Sequence, residues 1–333
     1  MMRARIIRTI ILMLVICGLA FLAIPKAKAP RDYHPANTEE QAKALGSMKE
    51  LQEQQRQALS PGPAFPPLPP PKPGDWLAEH REPGQTFDEY VSSRPNRPDD
   101  VRRTIYLKPL GEMPGEESLL LTQVRDFAEA YFAMEVVLLP AVSVENEGLT
   151  TRINSNTKKR QILSTDVLGL MRRLLPHDAF CILAVTMEDL YPEPSWNFVF
   201  GQASLQERVG VYSFARYDPA FYGESRQKDY RQVLLRRSCQ VMAHETAHMF
   251  GLWHCIYFSC VCNGSNNLEE SDSQPLHLCP VCLRKLQYAI GFDVAVRYEK
   301  LREFCDGAGM ASEAKWASDR IGAMTRDKTL EAK

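Results

Sequence analysis

Apolar and polar positions divide the chain into an apolar head, a polar and proline-rich stretch, and a long region of mixed periodicity. The head runs from Ile10 to Ile24, follows Arg3, Arg5 and Arg8, and ends at Pro25. Its length suits a secretory h-region and falls short of the roughly 20 residues a membrane-spanning helix needs. Residues 36–59 are polar helix formers with few core anchors, and Ser60 to Gly74 holds eight prolines in fifteen residues, which predicts extended polyproline II. From Asp75 onward strands and helices alternate. Thr104–Leu107 reads as a strand closed by Pro109 and Gly111, and 117–134 as a helix with Leu120, Val124, Phe127, Tyr131 and Met134 on one face. Glu135–Leu139 reads as a strand, Asn154–Arg160 as a loop, and Thr165–Leu175 as a helix capped by Ser164 or Thr165 and stopped by Pro176. Ala179–Thr186 is continuously apolar, as a central strand covered on both faces would be. Asn197–Phe200 and Val209–Phe214 are further strands, followed by a helix from about Tyr230 to Phe250. The alternation predicts an α/β (α+β) fold with a mixed sheet and helices packed on it.

Four segments follow from these shifts. Residues 1–29 form a signal peptide, with Ala27-Lys28-Ala29 as an A-x-A cleavage site, or an uncleaved signal-anchor. Residues 30–74 form a linker, 75–305 the catalytic-type domain and 306–333 a polar tail. The head places the protein in the secretory pathway, membrane-anchored or secreted. The proline tract reads first as a semi-rigid spacer and second as a ligand for an SH3- or WW-type partner.

Composition adds little until position is considered. The 333 residues carry a formal charge of −1, which argues against a generally basic nucleic-acid binder. Nine cysteines are too few for a small disulfide scaffold, yet five of them fall between Cys255 and Cys282. Three of the seven histidines fall between His244 and His254.

That cluster carries chemistry. His244 and His248 lie four apart on one helix face, one turn from each other, so both imidazoles can reach one metal. Gly251 can take the positive φ that ends the helix and reverses the chain, returning His254 as a third ligand. Three protein nitrogens leave a fourth tetrahedral position open to water, the arrangement of a catalytic zinc. Glu245, beside the first ligand, is the expected general base. The cysteines Cys255-x4-Cys260-x18-Cys279-x2-Cys282 match a structural zinc site, with two disulfides as the alternative that a secretory head would permit. Cys181 and Cys239 read as core residues. Together these give two zinc ions, one catalytic and one structural, and a metallopeptidase acting on peptide or protein substrates. A catalytically silent, membrane-tethered binding protein with two zincs is the alternative reading.

HExxHxxGxxH followed directly by Cys255, with Cys260 and a later CxxC, resembles the archaemetzincin (archaelysin-type) metallopeptidases of the metzincin clan, in particular the eukaryotic archaemetzincin-2 group. The similarity extends to 178–181, 189–192, 196–204, 213–217, 264–270 and 279–287, and covers roughly Asp75 to Phe304. It implies a metzincin fold, with the active-site helix behind a cleft and a smaller helical C-terminal part. It also implies zinc on His244, His248 and His254, a base at Glu245, and a second zinc on Cys255, Cys260, Cys279 and Cys282. By the same resemblance, an edge strand near Asn197–Gln202 would pair with an extended peptide. The family's Met-turn methionine is replaced here by Cys262, expected to fill the space by packing rather than to act as a ligand. Family members are soluble intracellular proteins, an expectation opposed to the one the apolar head gives.

Overall fold

In the computed structural model, residues 33–113 and 115–325 are described. The apolar head lies outside them. Among the described residues no helix is long and apolar enough to cross a membrane.

Two short helices open the described chain, α1 (Thr38–Leu45) and α2 (Glu53–Leu59), followed by α3 (Trp76–Glu79) and α4 (Phe87–Ser92). The α/β region then runs β1 (Thr104–Leu110), α5 (Glu116–Phe132), β2 (Val136–Leu138), β3 (Thr151–Ile153), β4 (Arg160–Leu163), α6 (Ser164–Leu174), β5 (Ala179–Thr186), β6 (Asp189–Tyr191), β7 (Gly201–Ala203) and β8 (Val209–Ser213). Helix α7 (Tyr230–Met249) follows, then α8 (Leu268–Ser273), α9 (Pro280–Ile290), α10 (Val294–Gly307) and α11 (Ala311–Thr325).

The main sheet has the order β2-β1-β5-β8-β7. Its first four strands are parallel, and β7 closes the edge antiparallel to β8. Every residue of β5 is buried, as its apolar run predicts. Its pleat sends Cys181, Leu183 and Val185 into the large core shared with α5, α7 and the C-terminal helices. Ile182 and Ala184 go into a smaller core with Val167, Leu170 and Met171 of α6. The sheet is thus a layer between two helical faces, and α7 lies on the side of the larger core.

Several boundaries differ from the sequence reading. Strand β1 continues through Pro109, because β2 pairs only as far as Leu107 and Pro109 faces a strand partner on one side, Val185 of β5. The expected loop at 154–160 closes a hairpin between β3 and β4 and ends one residue earlier, because Arg160 opens β4 opposite Ile153. Ser164 is not a cap: its Oγ donates to Gln202 Oε1 (2.6 Å), and Leu163 occupies the N-cap position. Asn197–Phe200 forms no strand beyond a single bridge from Val199 to Leu190, and the edge strand begins at Gly201.

The linker and tail also need correcting. Helix α1, capped reciprocally by Asn37 and Glu40, buries Ala44 and Leu45, and α2 buries Ala58 and Leu59. In the proline tract Phe65 is 2% exposed and packs edge-on against Trp316 of α11. The tail holds α11, which buries Ala314, Ala317 and Met324. Each segment offers the core only a few side chains, too few to register as an amphipathic period.

Candidate metal centre and catalytic cleft

Helix α7 carries His244 and His248 one turn apart, with their Nε2 atoms 3.0 Å from each other. Gly251 has φ +84°, and its N–H donates to His248 O (2.8 Å), so the chain reverses where the sequence predicts. The reversal brings the His254 ring centroid to 5.2 Å from that of His244 and 5.0 Å from that of His248. One ligand atom from each of the three lies within 4.8 Å of the others.

The three Nδ1 atoms are all engaged outward. His244 Nδ1 meets Val261 O (2.8 Å), His248 Nδ1 meets Leu252 O (2.7 Å), and His254 Nδ1 meets Glu82 Oε1 (2.7 Å). Carbonyl and carboxylate oxygens only accept, so these contacts fix the proton on Nδ1 and leave the Nε2 lone pairs for a metal. Burial holds His244 well below the usual histidine range and pushes His248 down to about 4, so both rings are neutral at pH 7. Tetrahedral zinc with bonds of about 2.0–2.1 Å sets its nitrogens about 3.3 Å apart. The 3.0 Å between His244 and His248 fits that ion closely.

Glu245 is 6% exposed, and burial pushes its carboxyl up to about 8. It points toward the edge strand. A Cβ built on Gly201 of β7 would meet Glu245 Oε1 at 2.5 Å and Cδ at 2.8 Å. Gly201 is therefore the residue that lets the carboxylate lie against the strand, a role its sequence setting did not reveal. A cleft of about 650 Å³ joins these parts, lined by β7, the three histidines, Glu245, Trp76 and Trp196. Phe198 is partly buried under the Arg216 guanidinium, 3.6 Å from its ring centroid. Arg216 in turn pairs with Asp189 through contacts of 2.7 and 2.8 Å, with side-chain exposures of 6% and 1%. This buried, bidentate pair ties β6 to the segment after β8 and so supports the upper rim of the cleft, where Phe198 rests on Arg216.

The second centre begins at Cys255, the residue after the third histidine. Cys255, Cys260, Cys279 and Cys282 are all buried, and their sulfurs lie within 4.8 Å of one another. Cys255 and Cys279 Sγ are 3.6 Å apart. A disulfide requires about 2.05 Å. Four zinc–sulfur bonds of about 2.3 Å give a tetrahedral edge of about 3.8 Å. The separation therefore fits a metal and excludes that disulfide, and the described cysteines are all free. The amide of Cys279 donates to Cys260 Sγ (3.2 Å), as expected for a sulfur bearing negative charge. Hydrogen bonding, chiefly from Cys255, pushes the Cys282 thiol down to about 6. Cys262 is 1% exposed within the core, and its thiol is held well above the usual range by hydrogen bonding with Cys260 and Cys282. It packs toward the sulfur cluster but is not part of the tetrad.

Glu82 and Trp76 were not anticipated as site residues. Both lie in the stretch after the proline tract, where no local motif marks a metal-associated carboxylate. Trp76 Nε1 donates to Glu82 Oε1 (2.8 Å); burial pushes the Glu82 carboxyl up, but the hydrogen bonds from His254 and Trp76 together with the nearby histidine charge leave it below its ordinary value.

Known proteins are similar to this chain over about 70% of its length. Residues 134–288 match Peptidase family M54. Archaemetzincin-2 of Macaca fascicularis is 40% identical over 261 residues, spanning 70% of this chain and 72% of that protein. Archaemetzincin-1 of Homo sapiens is 32% identical over 276 residues, spanning 74% of this chain and 54% of that protein. Among solved structures, the archaemetzincin of Methanopyrus kandleri aligns with a TM-score of 0.45 and 26% identity, covering 58% of this chain and 97% of that one.

Proposed function

The chain belongs to peptidase family M54, the archaemetzincins, and is a zinc metallopeptidase; we propose that Glu245 is its general base and that it carries two zinc ions, one catalytic and one structural. The observation that carries this reading is the convergence of three Nδ1-anchored histidines beside a buried carboxylate on the edge-strand side of a cleft. His244, His248 and His254 would hold the catalytic ion, and Cys255, Cys260, Cys279 and Cys282 the structural one. Bound zinc supplies Lewis acidity, lowering the pKa of water toward neutrality and polarising a peptide carbonyl.

The remaining work falls to the chain's own residues. Strand β7 offers its edge to an extended substrate, so backbone hydrogen bonds would align the scissile bond along the cleft. Glu245 takes a proton from the attacking water and returns it to the leaving amine. A cation at the histidines favours the ionised carboxylate and opposes the upward push of burial, which suits a group that must both accept and donate near neutral pH.

Digestion of a broad peptide library, paired with elemental analysis, tests this reading. Cleavage abolished by a chelator, with two zincs per chain, is the expected result. Two zincs with no cleavage would favour the silent binding protein instead. The apolar head would place this activity in the secretory pathway. N-terminal sequencing of the natural protein distinguishes a cleaved signal, starting near residue 30, from an intact anchor.

Gly201 provides a sharper check. In Gly201→Ala the atoms nearest the new methyl group are Oε1, Cδ and Cγ of Glu245, all under 3 Å, so the side chain of the base must move to admit it. The expected result is a nearly unchanged thermal midpoint with kcat lowered by about 10²-fold, the cost of misplacing a reacting group by about 1 Å. Wild-type kcat would show that Glu245 does not act from this position.

A further inference from the structure

We propose that Glu82 is a positioning residue for the third zinc ligand, and that the segment 72–85 is therefore part of the active site. The proposal rests on the zinc-peptidase reading above. Of the three histidines, His244 and His248 are oriented by backbone carbonyls close to their own helix, whereas His254 is oriented by a side-chain carboxylate delivered from 172 residues away. A carboxylate on Nδ1 fixes the tautomer and the orientation of the ring that presents Nε2 to the metal. The Glu82 side chain is 8% exposed, so water competes little for that contact.

Independent contacts hold Glu82 in place. Trp76 donates its indole N–H to the Glu82 carboxylate and stands edge-on to the His254 ring, with centroids 5.1 Å apart. The backbone N–H of Trp76 donates to Glu270 (2.9 and 3.1 Å). A Cβ on Gly264 would meet the indole at 2.5 Å, so that glycine makes the seat for the ring. Farther along, Gln85 Nε2 donates to Gly251 O (3.3 Å) and Gln85 Oε1 accepts from Trp253 N (3.3 Å), clamping the loop that carries His254. His80 stacks on Trp76 at 4.0 Å and faces Trp196 of the upper rim at 5.9 Å, which joins the segment to the other wall of the cleft.

The test uses the full chain and measures zinc affinity at the histidine site by chelator competition, together with the visible spectrum after cobalt replaces zinc. Glu82→Ala should weaken that site by about 10- to 100-fold and shift the cobalt spectrum, while the cysteine site keeps its metal. Glu82→Gln, which keeps an acceptor oxygen without the charge, should give an intermediate loss. Trp76→Phe should give a smaller loss in the same direction. A purely structural role would instead lower the thermal midpoint and leave the histidine-site affinity and spectrum unchanged. If Glu82→Ala fails to fold, judged by loss of the cysteine-site metal, Glu82→Gln decides alone. Wild-type affinity in the folded variants overturns the positioning role. Failure of the unmutated chain to bind metal at the histidines overturns the zinc-peptidase reading and this proposal together.

Discussion

Glu245→Gln is expected to lower kcat by about 10²- to 10⁴-fold while leaving both metals bound, the range in which a positioned acid–base group contributes. The substitution conserves shape, so the space opposite Gly201 is filled as before and the rim keeps its geometry. An amide can neither take a proton from water nor return one to an amine. The histidines keep their Nδ1 partners Val261, Leu252 and Glu82, none of which touches residue 245, so metal affinity should not fall. Stability should not fall either. Glu245 has no ion-pair partner among the described residues whose loss would destabilise the fold, and the amide keeps the volume of the carboxylate. A variant about as stable as the natural chain, fully metallated and nearly inactive, is the signature of a catalytic rather than a structural carboxylate. Turnover equal to that of the natural chain, with zinc bound, would assign the base elsewhere.

The contrast between Glu245 and Glu82 explains what was legible in the sequence. The groups on α7 announce themselves because 3.6-residue periodicity alone places positions 244 and 248 on one face, and Gly251 accounts for the reversal to His254. Strand β5 was legible for a similar reason: a run buried on both faces is apolar at every position. Glu82 forms its one decisive contact with a residue 172 positions away, and nothing within a window of its neighbours signals a metal-associated carboxylate. The docking of helices α1 and α2 on the core was hidden because each buries only two side chains, while their remaining faces are polar. Segments 189–192 and 213–217 were visible only as a family resemblance. The structure supplies their physical reason, since Asp189 and Arg216 form the buried pair that supports the rim. Segment 264–270 is explained likewise: Gly264 seats Trp76, Asn267 caps α8 by accepting from Glu270 N, and Glu270 accepts from Trp76 N. Patterns with a local period can be read from one chain, whereas contacts that join distant segments need the fold.

Cys282→Ser is expected to have the largest effect on stability, with loss of metal from both centres. The four sulfurs are buried, and a buried thiolate is tolerable only when a cation compensates it. A structural zinc of this kind contributes on the order of 10 kcal/mol to folding at neutral pH, more than many domains can lose. The damage should spread along identifiable contacts. Cys279 caps α9, its Sγ accepting from Cys282 N, so the helix start depends on the cluster. Helix α9 anchors the N-terminal segments: the Arg284 guanidinium donates to Ser47 O (2.6 Å) and Leu45 O, and Lys285 Nζ donates to Gln85 O. Gln85 holds the loop before His254, and Cys255 follows that histidine directly, so loosening the cluster releases the third catalytic ligand from two directions. Thermal unfolding and elemental analysis of the purified variant read this out as a collapse of the cooperative transition with less than one zinc per chain. Cys262→Ser separates ligand from neighbour: its thiol lies beside the cluster without joining the tetrad, so this variant should keep both metals and lose little stability. Equal metal loss in Cys262→Ser and Cys282→Ser would overturn the ligand assignment, and a fully metallated Cys282→Ser would show that Cys282 holds no metal.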